Sequence, residues 1–194
     1  DLDKRHHLVS AKGIRQLEKQ RLSLYLFQHI LFQRYLYNNL DKVERTHLHE
    51  EVGNILEAIY GIQTEEISVQ LARHFEEAGL PAKAVDYFYK AGNKAVRLSA
   101  SAEAILHYKK ALELLKQLPE TPVRDQQELA LQLALAVPLQ ASIGFGAHEL
   151  GQAVVRAREL CARMGDTPQR FTALIQLATY YATTAQYRTA LKLR

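Results

Sequence analysis

The stretch Leu71–Ala91, LARHFEEAGLPAKAVDYFYKA, decides how the rest of the chain reads. Ala72, Ala84 and Ala91 stand where a helical core would ordinarily carry bulky side chains, beside large rings at Phe75 and Phe88. Two packed helices lie about 8–10 Å apart, and the closest approach needs small side chains at the crossing. Alanines facing across a crossing, flanked by rings and separated by Gly79-Leu80-Pro81, predict an antiparallel helix hairpin. Such a hairpin cannot cover its own outer apolar face, so it stacks on another.

Working outward, helix punctuation is dense. Asp41 with Glu44 three residues on predicts a capped helix start, and Leu48, Val52, Ile55, Leu56 and Ile59 form one stripe that Gly61 closes. Thr64 is the expected cap of the next helix, Pro81 sits in the first turn of its successor, and Ser101 is the expected cap after that. Thr121-Pro122 and Thr167-Pro168 are further starts, and Gly144, Gly146 and Gly165 are breaks. Helices are predicted near 26–39, 42–60, 65–78, 81–98, 102–117, 123–142, 147–164, 168–183 and from 186 onward, with Pro138 kinking one of them. Before them, HLVSAKGIRQL and RLSLYLF predict two strands of a hairpin.

The alanine pattern resembles the tetratricopeptide repeat. With Ala72 as the eighth position, Phe75, Gly79, Ala84, Phe88 and Ala91 all fall where that family has its signature residues. A second match places Leu177, Ala178, Tyr181 and Ala190 in register, and Ala104, Tyr108 and Ala111 repeat the second-helix half. Leu150, Val154 and Ala157 repeat it loosely. The spacing departs from the family's: Ala84 to Ala104 is 20 residues, against about 34 in a regular array. Ser68 and Leu174 replace the usual Trp, and Val96 replaces the usual Pro. The expected fold is therefore mainly α: an irregular TPR-like α-solenoid over 62–194, after a β-hairpin and helices over 1–61.

Composition narrows the class. A chain of 194 residues that is 47% hydrophobic can bury a sizeable core. No apolar run approaches the roughly 20 residues of a membrane span, and the N-terminus is too polar for a secretory signal. The single cysteine, Cys161, excludes an internal disulfide framework and suits a reducing, cytoplasmic setting. Residues 1–50 hold nine Lys/Arg against six Asp/Glu, a modest excess that a solvated surface explains. Both ends read as cut from something larger. The last residues break off inside an amphipathic pattern, leaving Tyr187 and Leu191 as an open edge expected to fray or self-associate.

Residues 25–60, YLFQHILFQRYLYNNLDKVERTHLHEEVGNILEAIY, resemble the end of the winged-helix-like module in signal-transduction ATPases of the STAND type. The residues that carry it are Phe27 and His29, Tyr37 and Leu40, Arg45, Leu48 and His49, then Leu56. The resemblance implies that the preceding hairpin is the wing and that helical repeats follow. It also implies a bacterial signalling protein, some of them cyclase-linked, in which an ATPase switches states while the helical array senses a partner and drives assembly. No G-x-x-x-x-G-K-[ST] run occurs in this sequence, so a phosphate cradle would lie elsewhere in such a protein.

No catalytic, cofactor or metal site is expected. In HLHEEVG, Gly53 occupies the second His position of a zinc-protease helix, and His47 and His49 fall on different helix faces. His29 reads as a hydrogen-bonded core histidine, Cys161 as a buried structural thiol, and His74-Phe-Glu-Glu77 as a solvated face. If the array holds a protein or peptide partner, or another domain of its own chain, the resemblance puts the concave face at Glu66, Val69, Arg73, Glu76 and Glu77. In the later unit it falls at Thr172, Ile175, Thr179, Ala182 and Thr183. Arg73 stands where the carboxylate-clamp members of the family have Asn, which argues against that mode of tail binding. Nucleic-acid binding through residues 1–60 is the less favoured alternative: Lys4, Arg5, Lys12, Arg15, Lys19 and Arg21 lie mainly on the hairpin, and no complete recognition helix is evident.

Overall fold

The computed structural model describes residues 8–17, 20–144, 147–164, 174–175 and 178–182. Strands β1 (Val9–Leu17) and β2 (Gln20–Phe27) pair antiparallel, Val9 opposite Phe27 and Leu17 opposite Gln20, with an irregularity at Ala11/Gly13 that leaves Lys12 outside the register. β2 extends through Tyr25–Phe27, so α1 starts at Ile30 rather than 26 and ends at Asn39. The aromatic residues Tyr25 and Phe27 continue the ladder further than the helical pattern suggested.

α2 (Lys42–Tyr60) opens on the expected capping box: the Asp41 side chain accepts from Glu44 N, and the Glu44 carboxylate accepts from Asp41 N, both at 2.9 Å. Gly61 ends it at φ +48. The predicted start at 65 is corrected: Gly61–Ile67 form a 3-10 segment and α3 (Ser68–Glu77) begins later, without a side-chain cap. Thr64 interacts instead with the Tyr87 hydroxyl. Lys94 donates to Glu66 O at 3.0 Å and Arg97 pairs with Glu65, so the end of the next helix pins this segment.

α4 (Pro81–Arg97) and α5 (Ser101–Leu115) follow through three-residue turns of one design. After α3, Leu80 N bonds Phe75 O and Gly79 N bonds Glu76 O, with Gly79 at φ +67. After α4, Ala100 N bonds Ala95 O and Ser99 N bonds Val96 O, with Ser99 at φ +58. These are paired Schellman closures, the second using serine in a conformation that favours glycine. Ser101 is the first residue of α5 and caps nothing, because the preceding closure already sets the helix start.

α6 (Pro122–Ile143) begins where Thr121 Oγ1 accepts from Arg124 N at 3.2 Å, and it runs on through buried Pro138. α7 (His148–Met164) packs on it, and residues 174–175 and 178–182 are helical. The expected starts and ends at Gly146, Gly165 and Thr167-Pro168, and the positions Thr172, Leu177, Thr183, Tyr187, Ala190 and Leu191, lie outside the described residues.

From α2 to α7, each helix packs chiefly on the one before and the one after. Between them runs a main apolar core, with a smaller cluster between α6 and α7. Ala72, Ala84, Ala104 and Ala111 are fully buried in one cluster with Phe75, Phe88 and Tyr108, and Ala91 is nearly fully buried. Ala84, Phe88 and Ala91 occupy the same places in α4 as Ala104, Tyr108 and Ala111 in α5. Gly92 lets α5 approach α4 closely: a Cβ there would lie 2.3 Å from Tyr108 Cε1. Burial pushes the Tyr108 phenol up to about 12, and its hydroxyl donates to Asn93 Oδ1 at 2.7 Å. Cys161 is buried beside Leu129, Ala157 and Leu160.

Candidate functional site

The groove that gathers the most expected binding residues lies between α2, the 3-10 segment and α3. It encloses ≈ 470 Å³ and is lined by His49, Glu66, Ile67, Val69, Gln70, Arg73 and His74. Of the expected residues, Glu66, Val69 and Arg73 line this one groove. Glu76 is held instead by Lys110 of α5 at 2.7 Å, and Glu77 is exposed. Ile175, Thr179 and Ala182 are exposed on the later helical residues, where Thr179 Oγ1 donates to Ile175 O. Ala178 and Tyr181 are half-buried, with Tyr181 against the main core.

The His74–Glu77 run is not a solvated face. Phe75 is fully buried under Gly53, where an added Cβ would meet its ring at 2.9 Å, and Glu76 is ion-paired. His74 is half-buried, its Nδ1 3.0 Å from His49 Nδ1. The other nitrogen of His49, Nε2, bonds the Tyr37 hydroxyl at 2.9 Å, and the Arg45 guanidinium sits 5.4 Å from the Tyr37 ring centroid. Three of the residues carrying the N-terminal resemblance, Tyr37, Arg45 and His49, therefore meet in space. Burial, and then the neighbouring His49, hold the His74 imidazole below its usual range. His47 is exposed and takes no part. Among the described residues no group of three or more His, Cys, Asp or Glu could hold a metal ion. The joining of His49 to His74 had no signal in the sequence, since 25 residues separate them.

A second cluster fastens α2 to α4. Glu57 accepts from Lys83 Nζ at 2.7 Å and from the Tyr87 hydroxyl at 2.6 Å, and Lys83 also reaches Asn54 Oδ1 at 3.0 Å. Lys83 lies 4.4 Å from the Phe75 ring centroid, and Phe75 stacks on Tyr87 at 5.6 Å. Burial alone would raise the Glu57 carboxyl; the bonds from Lys83 and Tyr87 outweigh it and hold it below its usual value. Burial and Glu57 push the Tyr87 phenol up. The stability this carboxylate supplies is present above its unfolded value and is lost as pH falls through its folded one. Further along, Arg156 makes a two-pronged bond to Glu128, at 2.6 and 3.0 Å, tying α7 to α6.

Two expectations for the N-terminal part are corrected. His29 is exposed, not a core histidine: it precedes α1, its ring meeting the edge of Phe32. The stripe on α2 is largely uncovered, with Leu48, Val52 and Ile55 exposed, because α3 packs against the Gly53–Tyr60 side. Lys12 and Arg21 are exposed on the hairpin, while Lys4, Arg5 and Lys19 lie outside the described residues.

No helix of the described residues is long and apolar enough to cross a membrane. No family model matches the chain, and no solved structure matches it. The chain is similar to an uncharacterized protein of Rhizobium meliloti (strain 1021), 29% identical over 139 residues, which cover 72% of this chain. The aligned part is 14% of that relative's length.

Proposed function

We propose that this chain is a non-catalytic interaction and sensing region, a TPR-like stack of helix hairpins that receives a protein segment in the groove at Glu66, Val69 and Arg73. We place it in a multidomain bacterial signalling ATPase of the STAND type, where it governs assembly. The observation that carries the reading is the repetition from α3 to α5: two turns of one design and two helices with small residues and a ring at matching places, each packed chiefly on its neighbours. A stack built this way presents successive first-helix faces as one continuous surface rather than enclosing a catalytic cavity. The similarity to a much longer relative supports a role as one region among several. The residues from Tyr37 to His49 support the STAND assignment through the resemblance they carry.

The test uses the whole protein that contains these residues. Val69→Asp with Arg73→Glu alters the groove and leaves the buried alanines alone. Nucleotide-dependent assembly, followed by light scattering, is expected to lose its response to the partner while nucleotide affinity is unchanged. Assembly and partner response equal to wild type would remove the groove from the reading, and a whole protein that binds no nucleotide would remove the ATPase assignment.

A further inference from the structure

From the contact between His49 and His74 we infer an acid-released latch that joins the N-terminal helices to the helical stack. Two imidazole Nδ1 atoms at 3.0 Å share one hydrogen: one ring donates and the other offers its lone pair. That arrangement survives with the pair neutral or singly protonated. A second proton leaves two N–H groups facing each other at contact distance, with like charges on both rings, and the bond must open.

The surroundings do not offset the second charge. His49 Nε2 is engaged by the Tyr37 hydroxyl of α1, and the Arg45 guanidinium of α2 lies 5.4 Å from the Tyr37 ring centroid. Arg73 of α3 lines the same groove and adds positive charge; Glu66 of the 3-10 segment is the one carboxylate among the residues lining it. From α4, Lys83 is engaged by Glu57, and from α5, Lys110 is engaged by Glu76, while Arg73 acts on His107. Among the described residues, neither histidine of the pair has a carboxylate as hydrogen-bond partner. The direction of the His74 shift agrees: a group held below its unfolded value gives stability that is full above about 6.5 and is lost as pH falls through the folded value.

Release is local by construction. The far half of α2 is fastened independently, by Gly53 against Phe75 and by Glu57 to Lys83 and Tyr87. Opening the latch therefore frees α1 and the first half of α2, and the groove wall that His49 forms, while residues beyond Gly53 stay docked. The latch does not depend on the groove taking a partner.

Amide hydrogen exchange read by mass spectrometry tests it, with rates corrected for the intrinsic effect of pH. Between about pH 7.5 and about pH 5, exchange in residues 44–52 is expected to accelerate about tenfold more than in residues 84–95. His74→Gln, which can hold a hydrogen bond but takes no proton, removes that excess, and His49→Gln does the same. His107→Gln, which alters another histidine that burial holds below its usual range, leaves the excess in place. Equal acceleration in both segments, no acceleration, or an excess that persists in both the His74 and the His49 variants would overturn the latch.

Discussion

α1 and α4 are both rich in large apolar residues, yet α1 buries none of its residues and α4 buries seven. Ile30, Leu31, Phe32, Tyr35 and Leu36 stand exposed along α1, whereas Val85, Tyr87 and Phe88 of α4 are enclosed between α3 and α5. The difference is one of neighbours rather than of hydrophobicity. α4 has small residues that let a helix lie close on either side; among the described residues, α1 packs chiefly on the end of the hairpin and, through Tyr37, reaches the first half of α2. Apolar content drives burial, but complementary shape decides where burial happens.

The largest expected effect separates the two regions directly. Phe75→Ala removes a fully buried ring that touches Gly53, Tyr87 and Lys83, and is expected to cost about 3–5 kcal/mol in denaturant unfolding. Tyr35→Ala, at a position 66% exposed, is expected to change stability by less than about 0.5 kcal/mol. Equal costs would mean that α1 has a packed partner of its own.

Gly92→Ala sharpens the same comparison by adding one methyl group. The buried Tyr108 ring has no room to yield to it, so helices α4 and α5 must move apart, at a cost of about 1–3 kcal/mol despite alanine's better helix propensity. A gain in melting temperature would show that the crossing is looser than the 2.3 Å approach implies.

The smallest effect tests the paired turns. Ser99→Gly relieves a left-handed backbone and is expected to stabilise by a few tenths to about 1 kcal/mol, while Gly79→Ala is expected to destabilise by about 1 kcal/mol. Calorimetry on both variants reads the two signs, and the same sign in both would break the equivalence of the turns.

Much of this was legible in the sequence because it depends on near neighbours. The Asp41–Glu44 box, the Thr121 cap, Gly79 before Pro81, and the buried alanines at 72, 84, 91, 104 and 111 all follow from local spacing. The second Schellman turn escaped because serine occupies the place where glycine would have announced it. Gly92 escaped because a glycine inside a helix looks like a weakness until the opposing ring is known. Of the groove, the sequence offered Glu66, Val69 and Arg73 as single positions; that they line one cavity, and that Lys110, 34 positions away, pairs with Glu76, depends on contacts between helices distant in sequence.

The sequence by itself determined the helical periodicity, the strand pair, the caps at Asp41 and Thr121 and the small residues at the crossings, because those are set by backbone preference and residues within a few positions of one another. Only the tertiary structure decided that His49 meets His74, that Glu57 binds Lys83 and Tyr87, and that the apolar faces of α1 and of α2's first half are left uncovered. Those outcomes depend on which surfaces of distant helices come into contact, and that is fixed by the fit of whole faces rather than by any local pattern.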